Sequence, residues 1–193
     1  LIATALEAVE AGKIRRLLIN CPPQHGKTLL ASEFFPAWVL GRNPDWKVIA
    51  ATYNQTRANE VGNVVRNNLT SDTHRAIFPD CEIADTKSVQ HVATTQRGHY
   101  YSTGVGGAST GRGANLFLLD DPLKGREEAE SKLIREKIKE WYRAVAYTRL
   151  RPDNRIVIIL TRWHLDDLAG FVLREHAHEN WKVIELKAIA EGN

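Results

Sequence analysis

The sequence predicts a three-layer α/β domain with a mainly parallel central sheet and a β-hairpin insertion, and three observations carry that prediction. Buried-strand and amphipathic-helix patterns alternate from the N-terminus, the order that lays helices on the faces of a parallel sheet. A Gly26-Lys27-Thr28 tripeptide follows a strand pattern and opens a helix pattern. A later apolar run, Leu116-Phe117-Leu118-Leu119, ends in two carboxylates, Asp120-Asp121.

Residues 1–11 read as an amphipathic helix stopped by Gly12, and Arg16 to Asn20 as a short buried strand entering Cys21-Pro22-Pro23. Thr28 to Leu40 is helical by composition, with Pro36 marking a kink or an early end and Gly41-Arg42-Asn43-Pro44 a turn. Lys47 to Thr52 is a second buried strand. Gln55 to Leu69 is a second helix, since Ala58, Val61, Val64, Val65 and Leu69 recur near helical spacing. Residues 88–105 alternate weakly around Arg97-Gly98 and predict the hairpin, and Gly104 to Gly113 is a loop by composition. After the third buried strand, Glu127 to Tyr147 reads as one long charged helix with Leu133, Ile134, Ile138, Trp141, Ala144 and Val145 on its apolar side. Ile156 to Leu160 is a fourth strand ending in Thr161-Arg162-Trp163. A helix from Leu165 to about His176 and a strand near Lys182 to Leu186 complete the pattern, with no internal repeat and no linker that divides the chain.

Composition narrows the class further. At 193 residues, 43% hydrophobic and 25% charged, with 13 Gly, 7 Pro and 2 Cys, the chain is not collagen-like, disordered or a disulfide scaffold. Its net charge of +3 neither demands nor excludes a polyanionic partner. The cysteines stand 60 positions apart, one inside a patterned loop, which fits a reduced protein better than a secreted one. Glu7 and Glu10 break the apolar start, so neither a leader nor a spanning helix is expected, and the protein is read as soluble, without a membrane partner. With no Met in the chain and Leu at position 1, the sequence reads as a piece of a longer protein.

The segment Cys21-Pro22-Pro23-Gln24-His25-Gly26-Lys27-Thr28 has the context of a phosphate-binding loop. Backbone N–H groups and the helix N-terminus would face phosphates, Lys27 would reach the β and γ phosphates, and the Thr28 hydroxyl would bind Mg²⁺. Cys21 replaces the first glycine of the pattern. Pro22 and Pro23 have no N–H, so the cradle falls to Gln24, His25, Gly26, Lys27 and Thr28. A chance turn containing Gly-Lys-Thr is the competing reading, and the flanking strand and helix argue against it. The acidic strand end is the partner such a loop needs, because Mg²⁺ takes oxygen ligands and a second carboxylate can activate water. Asp120 is therefore assigned to Mg²⁺ and Asp121 to the water, although Asp121 is shorter than the glutamate many related ATPases carry there.

Cys-Pro-Pro-Gln-His-Gly-Lys-Thr (21–28), Thr-Gly-Arg-Gly-Ala-Asn-Leu-Phe-Leu-Leu-Asp-Asp-Pro (110–122) and Thr-Arg-Trp-His (161–164) together resemble the ATPase domain of the large terminase subunit of tailed bacteriophages. The likeness extends to Ala51-Thr52-Tyr53-Asn54, Glu140-Trp141-Tyr142 and Leu165-Asp166-Asp167-Leu168. It implies an additional-strand, RecA-like P-loop NTPase core across residues 1–193, with ATP and Mg²⁺ as cofactors. It also implies a homo-oligomeric ring that threads double-stranded DNA into a procapsid in the host cytoplasm, with the portal protein and the small terminase subunit as partners. The family continues into a C-terminal nuclease, so no nuclease activity is expected from a chain that stops at Asn193. The alternatives are a helicase-like translocase and a nucleotide-binding assembly module that does not turn over alone.

The same resemblance implies that Arg112, in the glycine-rich loop, acts as an arginine finger on a neighbouring subunit's nucleotide, with Arg97 and Arg126 in reserve. It implies that Thr161 and Arg162 sense the γ phosphate and couple hydrolysis to movement, against the plainer reading of a strand-to-helix turn in which Thr or Asp caps the next helix. Tyr53 and Arg57 are half-buried surface positions or contacts to adenine or DNA. Arg143, Arg149, Arg151 and Arg155 form a basic cluster that is either a solvated edge or a surface for DNA phosphates. The five Trp are expected to pack the core or helix faces. The histidines show no metal spacing, because His176 and His178, two apart on an expected helix, would not face one way.

Overall fold

The computed structural model of the chain describes residues 1–84, 88–107, 113–147 and 150–187. Among them α1 (Ile2–Glu10) leads into β1 (Arg16–Asn20), then a π-helical turn (Leu29–Phe34) runs into α2 (Phe35–Arg42). β2 (Lys47–Thr52), α3 (Gln55–Thr70) and α4 (Asp72–Ile77) follow, then β3 (His91–Ala93), β4 (His99–Gly104) and β5 (Ala114–Asp120). α5 (Arg126–Glu130), α6 (Lys132–Trp141) and a second π-helical turn (Tyr142–Tyr147) precede β6 (Leu150–Leu160), α7 (Leu168–Glu175), a 3₁₀ turn (Ala177–Glu179) and β7 (Lys182–Glu185).

The strands form one sheet in the order β3-β4-β2-β5-β6-β1-β7, parallel throughout except for the antiparallel β3–β4 pair. Strand alternation divides the core. Leu17, Ile19, Val48, Ala50, Leu116, Leu118, Val157 and Ile159 face α1, α2 and α3. Leu18, Ile49, Ala51, Phe117, Leu119, Ile156 and Ile158 face α5, α6 and α7. Strands buried on both faces read as unbroken apolar runs, which is why these strands were legible. β6 lies between β1 and β5, the position of an additional strand separating the phosphate loop from the acidic strand end.

The hairpin is present as expected, with Arg97 at φ 69° in its turn, and β4 pairs in parallel with β2 from Lys47↔His99 to Thr52↔Gly104, so the insertion extends the central sheet. Three expectations need correction. The long helix breaks at Ser131, whose hydroxyl accepts the Ile134 N–H and starts α6 as a new helix. The expected helix at Leu165 begins at Leu168, capped by Asp167, whose carboxylate accepts the Gly170 N–H. Helix Thr28 to Leu40 is partly π-helical: Phe35 N–H bonds Leu30 O, five residues back, just before Pro36, which has no N–H to continue an α ladder. Trp38, Trp46, Trp141 and Trp181 pack as expected, whereas Trp163 is 40% exposed.

Candidate nucleotide-binding site

The site forms where the C-terminal ends of β1, β5 and β6 meet. Cys21, the first residue past β1, donates its N–H to Leu160 O of β6 (3.1 Å), so the loop leaves the sheet in register with its neighbour. Gln24 (φ 62°) and Gly26 (φ 72°) both adopt left-handed backbone. Nothing lies within 4 Å of where a Gly26 Cβ would stand, so glycine is needed there for backbone conformation rather than for space. Alternating hands turn successive N–H groups toward a common hollow, the geometry of an anion nest. Gln24, His25 and Gly26 are exposed, and His25 Nδ1 meets Pro23 O at 2.7 Å.

Lys27 is buried (5% exposed) and points across the strand ends. Its Nζ donates to Thr161 Oγ1 at 2.6 Å and pairs with Asp121 Oδ2 at 2.6 Å. Asp121 accepts the Thr161 N–H on Oδ1 (2.9 Å), and Thr161 Oγ1 donates to Cys21 O (3.3 Å). Both Asp121 oxygens are therefore engaged, with the backbone held at φ 40°. Lys27, Asp121 and Thr161, each from the segment that follows a different strand, close into one polar ring.

Asp120 sits beneath that ring, 4% exposed. Ser32 Oγ donates to its Oδ2 at 2.8 Å, while Oδ1 is buried with no hydrogen-bond partner among the described residues. Burial, and then the charge of Asp121, push its carboxyl up to about 6; the hydrogen bond from Ser32, the neighbouring Thr28 hydroxyl and the nearby Lys27 charge pull the other way. An unsatisfied buried carboxylate oxygen beside the Thr28 hydroxyl is an all-oxygen set suited to a hard divalent cation. Sequence reasoning missed Ser32; its signal was the spacing, four residues after Thr28 on the same helix face.

The remaining assigned residues are placed differently. Arg162 Nε donates to Asp167 Oδ2 at 3.0 Å and its guanidinium to Leu165 O at 3.3 Å, so it braces the start of α7. Arg155 donates to Val9 O (2.8 Å) and lies 4.4 Å over the Trp46 ring, which ties it to the α1–β1 turn. Arg151 lies in β6, its side chain outside the described residues, and Arg112 and Arg149 lie outside them altogether. Arg57 bonds Glu60 on the surface of α3 (2.9 Å), and Arg126 is exposed at the start of α5.

The family model described as terminase large subunit, T4likevirus-type, N-terminal, matches residues 18–193. The chain belongs to that family. The sheet of this terminase domain also superposes on solved structures at low sequence identity. The large terminase of bacteriophage HK97 matches with a TM-score of 0.67 at 13% identity, over 100% of this chain and 40% of that one. The large terminase ATPase domain of Thermus phage P74-26 matches at 0.57 and 14%, over 94% and 79%. The Phi-28 gp11 DNA packaging motor matches at 0.51 and 11%, over 96% and 60%. This terminase domain thus spans less than half the length of the HK97 protein. No protein of curated function matches it in sequence.

Proposed function

We propose that this terminase domain binds ATP with Mg²⁺ and hydrolyses it to move double-stranded viral DNA into a procapsid, as one subunit of a homo-oligomeric ring. The observation that carries the reading is the convergence of Lys27, Asp121 and Thr161, with Thr28 and Ser32 beside Asp120. The family membership and the packaging motor among its structural relatives support the DNA-handling part.

Each residue then has a defined task. Gln24 to Thr28 offer backbone N–H groups to the phosphates. Lys27 leaves Asp121 for the phosphate oxygens, and the freed Asp121 carboxylate accepts a proton from the attacking water. Thr28 and Asp120 would hold Mg²⁺, which supplies neutralisation of the developing phosphate charge. Thr161 touches both Lys27 and Asp121, so a change in either contact reaches β6, and Arg162 passes it to α7 through Asp167. Arg112 acts in trans on the neighbour's nucleotide. Arg149 and Arg151 are the DNA-facing arginines of this reading. The portal protein and the small terminase subunit are its partners, and the host cytoplasm is its place of action.

Steady-state ATPase measured against protein concentration, with and without duplex DNA, tests the proposal. A ring enzyme shows turnover per subunit that rises with concentration, and Arg112→Ala removes that turnover while leaving single-subunit nucleotide affinity nearly intact. A flat, near-zero rate in concentrated protein with DNA and its packaging partners overturns the motor reading. Turnover on single-stranded nucleic acid without the partners favours a helicase-like translocase instead.

A further inference from the structure

We propose that His176, His178 and Glu179 form a binding site for a divalent transition metal, zinc by its ligand chemistry, at the end of the sheet opposite the nucleotide loop. On a continuing α-helix, two histidines at i and i+2 would diverge. Here α7 stops at Glu175, and the chain tightens into the 3₁₀ turn Ala177–Glu179, closed by Asn180 in left-handed backbone at φ 57°. That turn brings His176, His178 and Glu179 to one side. One donor atom from each lies within 4.8 Å of the other two.

The set is partly organised already. His176 Nδ1 meets Glu179 Oε1 at 3.0 Å, and the His176 ring is flanked by Tyr142 and Phe171, with centroids 6.0 Å and 5.2 Å away. Arg16 pairs with the other Glu179 oxygen, Oε2, and is itself anchored to the Asn154 side chain (2.9 Å), so it orients the carboxylate and leaves Oε1 toward the imidazole. His178 is exposed, its ring centroid 6.1 Å from that of His176, and can rotate onto a shared ion. Tetrahedral zinc with bonds near 2.0–2.1 Å needs donors about 3.4 Å apart, so rotation of the exposed His178 ring closes most of the difference. Two imidazoles and one carboxylate with an open fourth position suit zinc rather than magnesium.

Arg16 opens β1 and the phosphate loop follows its last residue, so five residues at about 3.3 Å separate the two regions by roughly 16 Å. The bound ion would lock the turn that follows α7, whose Glu179 already holds Arg16 at the start of β1, a structural rather than chemical role.

The test uses metal-depleted protein titrated calorimetrically with Zn²⁺ alone, and with Co²⁺ followed by its visible absorption. The expected result is one equivalent bound, tetrahedral-type cobalt absorption, a rise in Tm with Zn²⁺, and at least tenfold weaker binding in His178→Ala, an exposed position whose loss spares the core. Glu179→Gln weakens binding similarly, and Asp120→Asn leaves it unchanged. Absence of binding, or one equivalent bound equally by wild type and His178→Ala, overturns the site.

Discussion

Replacing Asp121 by asparagine tests the central feature of the site, because it removes the charge that holds Lys27 while keeping an oxygen for the Thr161 N–H. Lys27 Nζ sits 2.6 Å from Asp121 Oδ2, with the lysine side chain 6% and the aspartate 33% exposed. A hydrogen bond to a charged group contributes about 1.5–3 kcal/mol net, and the partial exposure of Asp121 places this one near the lower end. Phosphates that claim Lys27 must first break it. Removing the carboxylate charge therefore lowers the cost of binding by about 1.5 kcal/mol, or roughly tenfold in affinity. The assay is calorimetry with Mg·ADP, which cannot be hydrolysed and so separates affinity from turnover. Asp121→Asn is expected to bind ADP about tenfold tighter than wild type while ATP hydrolysis is lost. Unchanged or weaker ADP binding would refute the idea that Asp121 competes with phosphate for Lys27.

Further outcomes follow from neighbouring contacts. Lys27→Ala loses its charge-assisted contact to the β phosphate and weakens Mg·ADP binding by about tenfold or more, measured by the same titration. The Asp120 carboxyl is raised from 3.8 to about 6, so the metal-free fold binds a proton that the unfolded chain releases between those values. Stability of the metal-free protein therefore falls as pH rises through about 4 to 6, by roughly 3 kcal/mol at most, and Mg²⁺ reverses the trend above pH 6; Tm against pH with and without Mg²⁺ reads both. Asp167→Ala removes the cap of α7 and the partner of Arg162, costing about 2 kcal/mol in urea unfolding.

Much of this architecture was legible because it rests on local pattern. Leu17 to Ile19, Val48 to Ala51 and Leu116 to Leu119 are apolar on both faces, and only a sheet covered on both sides buries such runs. What stayed hidden depended on single polar groups or on distant partners. Ser71 and Ser131 each accept an N–H three residues on and start α4 and α6, yet neither interrupts the apolar periodicity strongly enough to announce a boundary. β6 runs back to Leu150 through Arg151, Pro152 and Asp153, a stretch that carries no strand composition and is paired only through a register shift between Ala114 and Leu116. The charges of α6 gave no sign of where they would sit: Lys139 and Arg135 are buried beside Asp166, which also takes Arg174 at 2.6 Å. In the site, loop and acidic strand end could be named separately. The mutual capture of Lys27 and Asp121 could not, since 94 positions separate them and strand order alone brings them together.

That strand order also acts as a ruler. Paired strands lie about 4.8 Å apart, so interposing β6 sets β1 and β5 about 10 Å from each other through backbone hydrogen bonds that side-chain changes other than proline leave in place. The side chains at the rim, Lys27, Asp121 and Thr161 among them, can each be replaced without changing that spacing. The width of the gap their chemistry must span is inherited with the fold.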